Sequence, residues 1–429
     1  MIEQLELTNF KNFRSATLPL GKFTVIVGTN ASGKSNIRDA FRFLHGISRG
    51  YSLAEIIGEK WGSGGERQWA GIRGGVREIA HHREVEFALR LSIDQSGPTS
   101  FSIKVATNFV QGRLSAQPPV VVEESFSSPS DGGYEAAANS EDPLTLAATR
   151  IGGTGCRIKL PSGKSTMPFI GDESNTLLVG PFGEALSRDL LLRVFSTDTP
   201  ANQTRKLLQL MRFFDLSPDA LRVPSMPGQT VLGDRGENLS SVLLAISEDA
   251  SLKAAVLEWV RQLTPLDVVD FDFEPDAAGR VLVALVEGNG KKTSAYSASD
   301  GTLRFLAMLA ALYGPNAAGF YFFDEIETGI HPTRLHLLTQ LIEQRVARGD
   351  VQVVATTHSP QLLGLLSEES REAAVLTYRL EGHPEGRIKR IMDIPNAAEV
   401  LKNQSLMRLH ESGWLENAVE FLEGEEGDE

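Results

Sequence analysis

The chain has 429 residues, 41% of them hydrophobic and 23% charged, which is enough to bury a large core and too apolar for a disordered chain. Its formal net charge of -13 excludes a broad basic surface, so any contact with nucleic acid has to be local. The single cysteine, Cys156, excludes an intramolecular disulfide and a thiolate-rich metal site, and fits a reducing, cytoplasmic setting.

The opening run Met1-Ile2-Glu3-Gln4-Leu5-Glu6-Leu7 alternates apolar and polar residues like a half-buried strand and carries no signal-peptide pattern. The most apolar stretch, Leu303 to Tyr313, is interrupted by Arg304 and falls short of the roughly 20 residues that a membrane span needs. A soluble protein with no membrane partner is expected.

Strands are predicted over Ile2 to Thr8, Ala16 to Leu20 and Phe23 to Val27, followed by a glycine loop and a helix from Lys34. Ile37, Ala40, Phe41 and Leu44 give that helix one apolar stripe, and Gly46 is its expected stop. Val85 to Ile93 and Phe101 to Phe109 read as an antiparallel pair around Gln95-Ser96-Gly97-Pro98, the centre of a β-rich lobe. Ser125 to Pro143 is rich in Ser, Gly, Ala, Asp and Glu and reads as a mobile loop. From Gly183 to Leu263 the spacing of Leu190, Leu191, Val194, Leu207, Leu208, Leu210, Met211, Val256, Leu257 and Val260 is helical, without a sustained heptad. Val268 to Phe273 and Val281 to Glu287 read as strands leading back into the core. The expected domains are 1–180 with the β-rich lobe, a helical insertion over 181–265, and 266–429, ending in the solvated acidic run Glu423 to Glu429.

Gly28-Thr29-Asn30-Ala31-Ser32-Gly33-Lys34-Ser35 matches G-x-x-x-x-G-K-S between an apolar strand and an amphipathic helix, the context that this phosphate-binding motif requires. Gly28 and Gly33 let the backbone wrap closely. The amides of Asn30, Ala31, Ser32, Gly33 and the helix start through Asn36 point at phosphate oxygens, Lys34 offsets phosphate charge, and Ser35 is a Mg²⁺ ligand. Phe320-Tyr321-Phe322-Phe323-Asp324-Glu325 is an apolar strand ending in two carboxylates, with Asp324 assigned to the Mg²⁺ shell and Glu325 to the attacking water. Val353 to Thr357 is a further buried strand ending at His358, placed to sense the γ-phosphate or the attacking water. Ser299-Asp300-Gly301-Thr302 precede a very apolar helix. They read as an anion site, as an N-cap, or as both.

Together with Leu5-Glu6-Leu7-Thr8-Asn9-Phe10-Lys11-Asn12-Phe13 and Asp324-Glu325-Ile326-Glu327-Thr328-Gly329-Ile330-His331-Pro332, these elements resemble the ABC-type ATPase heads of the RecF, SMC and OLD group. The resemblance covers about residues 1–46 and 297–380. It implies an α/β, ABC-type P-loop NTPase head with an antiparallel β lobe and an inserted helical subdomain. It also implies ATP and Mg²⁺ as ligands, catalytic roles for Glu325, His358 and Lys34, and a signature loop at Ser299 to Thr302. In such heads that loop reaches the γ-phosphate held by a second subunit, so an ATP-sandwiched homodimer is expected. The loop here departs from transporter ATPases in lacking their double glycine and glutamine, and the glutamine after the phosphate-loop helix has only Gln68 as a candidate. Neither the long coiled coil of SMC proteins nor an appended nuclease domain is expected.

The expected function is an ATPase switch acting on DNA or on a separately encoded effector, in phage defence or genome maintenance. An ATP-gated scaffold with negligible turnover is the alternative. Arg67, Arg73, Arg77 and Arg83 lie among Trp61, Trp69, His81 and His82, but Glu59, Glu66, Glu78 and Glu84 interleave with them. That balance favours a solvated mixed-charge surface over a DNA contact. His331 reads as the residue starting a helix before Pro332.

Overall fold

The structure is a computed structural model. It describes the chain except residues 83, 95–96, 108, 111–112, 115–117, 129–133, 141–156, 160–165, 173–174, 179–199, 264–266, 381, 395, 398, 401–404, 415–416 and 420–429. Two compact units interleave along the sequence. One contains residues 1–20, 29–210 and 377–389, and the other 21–28, 211–376 and 390–429.

The first unit is built on an antiparallel sheet. Its strands lie in the order Tyr134–Ser140, Val120–Ser127, Pro98–Ala106, Glu86–Asp94, Ile2–Phe10, Phe13–Pro19. Apolar residues alternate along them, so Ile2, Leu5, Leu7 and Phe10 are buried with Phe87, Leu89, Leu91 and Ile93 while their neighbours face outward. The helix Lys34–Ser48 buries Ile37, Ala40, Phe41 and Leu44 as its spacing predicts, and Phe43 meets Phe87 edge-on at 5.3 Å. The β-rich lobe takes the expected antiparallel form. Gln95 and Ser96 of its turn lie outside the described residues, as do Cys156 and the acidic run Glu423 to Glu429. Within the stretch expected to be a mobile loop, Tyr134–Ser140 is instead a strand on Val120–Ser127, because backbone pairing along an open sheet edge is available even to small and polar side chains.

The second unit carries a parallel sheet of Met211–Phe214, Phe320–Phe323, Gln352–Thr356 and Phe23–Gly28, each hydrogen-bonded to the next in that order. Nearly every residue of these strands is buried, which is why they read as continuous apolar runs rather than alternating ones. Met211, grouped by its spacing with a helical stripe, instead opens a strand. The preceding helix ends at Gln209, and the bulky run Met-Arg-Phe-Phe pairs with the carboxylate strand, with Phe214 stacked on Phe323 at 5.2 Å. Val268–Pro275, Val281–Glu287 and Lys292–Ser294 form a separate antiparallel sheet. The helix Asp300–Tyr313 is buried from Phe305 onward. Among the described residues no helix is long and apolar enough to cross a membrane.

Candidate nucleotide site

The phosphate loop leaves the buried strand Phe23–Gly28 and, from Thr29 on, belongs to the first unit. Thr29, Asn30 and Ala31 are exposed, Ser32, Gly33 and Lys34 are buried, and Ser35 and Asn36 are half-buried. Gly33 has φ 124°, and a Cβ there would lie 2.5 Å from Phe13 Cζ, so this position needs glycine on two counts. Ala31 also sits in the left-handed region, at φ 64°. No side chain caps the helix that Gly33 starts, and its first turn holds no acid, leaving amides and helix dipole suited to an anion. Lys34 donates from Nζ to the Thr29 carbonyl at 2.9 Å, folding the ammonium back over the loop.

Asn12 braces this loop. Its Nδ2 donates to Ser32 O at 3.0 Å, its Oδ1 accepts from Asn36 Nδ2 at 2.6 Å, and its carbonyl accepts the Gly386 amide at 2.8 Å. Ser32 is tied further by its hydroxyl to Thr377, at 2.7 Å. On the loop's helix, buried Asp39 pairs with Lys11 at 3.4 Å and Arg73 at 3.1 Å, and burial lowers the Lys11 pKa below the ordinary lysine value against the pull of Asp39. Arg67 pairs with Glu59 at 3.4 Å, so Arg67 and Arg73 both have acidic partners; Arg83 lies outside the described residues. Gln68 bonds the Glu66 side chain at 3.3 Å.

The second unit brings Asp324, Glu325 and His358 together at the ends of neighbouring parallel strands. Thr356 joins them: its hydroxyl donates to Asp324 Oδ1 at 2.6 Å and accepts the Glu325 amide at 2.9 Å, while its carbonyl accepts the Ile326 amide at 3.1 Å. These bonds hold Glu325 at φ 45°, a left-handed conformation that a non-glycine residue keeps only when its surroundings impose it. Glu325 is exposed, its Oε2 accepts from Thr328 Oγ1 at 3.3 Å, and its Oε1 lies 3.9 Å from His358 Nε2. The two side chains therefore converge without bonding directly. The His358 amide donates to Glu327 Oε1 at 2.8 Å.

The same unit holds Ser299 and Gly301. Ser299 accepts the Thr302 amide at 3.2 Å, so the N-cap reading holds, and Arg222 reaches Asp300 at 2.6 Å and the Ala298 carbonyl at 2.9 Å. A Cβ on Gly301 would lie 2.1 Å from the Gly329 carbonyl, so only glycine lets the helix start and the carboxylate turn touch. Ser299, Gly301, Thr302, Gly329, His331 and Arg334 line a cavity of about 80 Å³. His331 accepts the Thr333 amide at 3.3 Å and caps the turn at Pro332, as its place in the sequence predicts. Sequence reasoning missed Asn12, Thr356 and Glu327 as partners of the motifs, although Asn12 and Glu327 stand inside quoted motif segments and Thr356 ends the histidine strand.

A family model described as "AAA domain, putative AbiEii toxin, Type IV TA system" matches residues 23–132 and 196–364. The ATP/GTP phosphatase of Helicobacter pylori is 22% identical over 379 residues, covering 87% of this chain and 89% of that protein. Structural maintenance of chromosomes protein 1 of Arabidopsis thaliana is 47% identical over 62 residues, covering 13% of this chain. The chain spans only 4 to 5% of the length of the chromosome proteins it matches. An SMC head solved with the C-terminal winged-helix domain of ScpA aligns over 90% of this chain and 96% of that one, at 16% identity and a TM-score of 0.42. Because the family model covers well over half of the sequence, through both the phosphate loop and the carboxylate strand, the chain belongs to this AAA family.

Proposed function

We propose that the protein is an ATP-driven dimeric switch that acts on DNA or on a separately encoded effector protein. The observation that carries the reading is the second unit's cluster. Asp324, Glu325 and His358 stand at adjacent strand ends with Thr356 tying both carboxylate positions, and Ser299 and Gly301 lie at the start of the helix Asp300–Tyr313, with Gly301 against Gly329 of the carboxylate turn. In this reading Gly28 to Asn36 hold the nucleotide phosphates, with Lys34 offsetting their charge. Ser35 and Asp324 are the proposed Mg²⁺ ligands, an oxygen donor set that suits a hard cation, and the ion would offset charge on the phosphates. Glu325 takes a proton from the attacking water, and His358 holds the water or the γ-phosphate in line.

An exposed Glu325 whose carboxylate accepts one weak hydrogen bond among the described residues suits a general base that meets its water once ATP is in place. The exposed rim of the Ser299–Gly301 cavity, with Arg334 and the helix start, supports contact with the γ-phosphate of ATP held by a second copy. The toxin–antitoxin wording of the family description supports a two-component system in defence or genome maintenance. The test of the switch is solution mass with and without ATP in the Glu325→Gln variant. ATP should convert the 46.7 kDa chain to a species of twice that mass. A single mass at every ATP concentration would overturn the dimeric reading.

A further inference from the structure

The carboxylate turn and the histidine loop are stapled twice. The first staple is Thr356, through Asp324 Oδ1 and the Glu325 amide. The second is Glu327, whose Oε1 accepts the backbone N–H of His358 at 2.8 Å. Glu327 stands two residues after Glu325 in the same tight turn, closed by Thr328 N–H to Glu325 O at 2.9 Å and Ile330 N–H to Glu327 O at 3.0 Å. One short segment therefore carries both the water-activating carboxylate and the carboxylate that grips the histidine backbone.

The other oxygen of Glu327, Oε2, is buried and has no hydrogen-bond partner among the described residues. Glu327 is half-buried as a whole, but leaving its one buried oxygen without a partner costs stability, and a neutral or apolar side chain of the same shape would cost less. A residue that stability alone disfavours is explained by the bond it does make, which is charge-assisted and aimed at the backbone of His358.

We propose that Glu327 is a positioning residue for ATP hydrolysis, holding His358 in register with Glu325 through its bond to the His358 amide. The inference rests on the roles given above to Glu325 and His358. Glu327 acts through the histidine backbone: it fixes where that backbone sits, and so where the imidazole, 3.9 Å from the Glu325 carboxylate, is directed.

The experiment compares ATP turnover and ATP affinity in Glu327→Met, Glu327→Gln, His358→Ala and the double variant Glu327→Met/His358→Ala. Met keeps the length and fills the buried space without an acceptor, while Gln keeps a carbonyl for the amide; thermal unfolding checks that each variant is folded. The expected result is a kcat lowered about 10- to 100-fold in Glu327→Met, with ATP affinity unchanged within about twofold. Glu327→Gln should stay within about threefold of the parent, and the double variant should be no slower than His358→Ala alone, because the two residues act as one unit. Turnover unchanged in Glu327→Met, or losses that multiply in the double variant, would overturn the inference while leaving His358 in its role. Unchanged turnover in His358→Ala would instead remove the role of His358 itself, and the inference with it.

Discussion

Glu325 occupies the left-handed region at φ 45°, at a cost of about 1–2 kcal/mol for a residue with a Cβ. The Thr356 hydroxyl supports that conformation by accepting the Glu325 amide, and it donates to Asp324 at the same time. Replacing Thr356 by Val removes both bonds and keeps the shape. Turnover should fall about 10- to 100-fold with folding retained, as steady-state phosphate release would measure; turnover equal to the parent would remove Thr356 from the site. At the loop, Gly33→Ala places a methyl 2.5 Å from Phe13 Cζ at a φ that alanine avoids. ATP affinity measured by calorimetry should drop at least about tenfold, equivalent to about 1.4 kcal/mol. Undiminished affinity would mean that the loop tolerates a different path.

The strand Phe320–Phe323 positions both carboxylates, and its own anchor is Tyr321. The Tyr321 hydroxyl donates to the Ala311 carbonyl at 2.6 Å and accepts the Ala318 amide at 2.7 Å, tying the strand to the helix Asp300–Tyr313. Tyr321→Phe leaves two buried backbone groups unpaired and should cost about 1–3 kcal/mol in urea unfolding. Burial pushes the Tyr321 pKa up from 10.0 to about 12, because the phenolate is disfavoured there. The folded-state pKa is the higher one, so the group's contribution is fully present below pH 10 and is lost as pH rises toward 12. Parent stability should therefore decline more steeply than that of Tyr321→Phe across that window, and parallel curves would contradict the assignment. Gly301→Ala tests the neighbouring contact: a Cβ 2.1 Å from the Gly329 carbonyl must push the helix start and the turn apart, lowering stability by about 1–3 kcal/mol or displacing the cavity wall.

Across the whole chain, legibility followed how local each feature is. The phosphate loop was readable because its glycines, lysine and serine act through one continuous segment between Gly28 and Ser35, and the carboxylates were readable because a strand end is a local pattern. Thr356 and Glu327 were not, since their roles depend on Phe320–Phe323 lying beside Gln352–Thr356, and sequence order does not give strand order in a parallel sheet. Met211 shows the same limit: its spacing fits a helix, and only the vacant edge beside Phe320–Phe323 makes it a strand. The two units draw on interleaved stretches of chain, with the covalent crossing at Gly28–Thr29 falling inside the phosphate motif itself. The most direct test of the account is therefore ATP turnover in Glu325→Gln beside ATP affinity in the same variant. The account predicts affinity within about twofold of the parent and phosphate release lowered at least about 100-fold, or about 2.7 kcal/mol in the barrier. Phosphate release equal to that of the parent would contradict it.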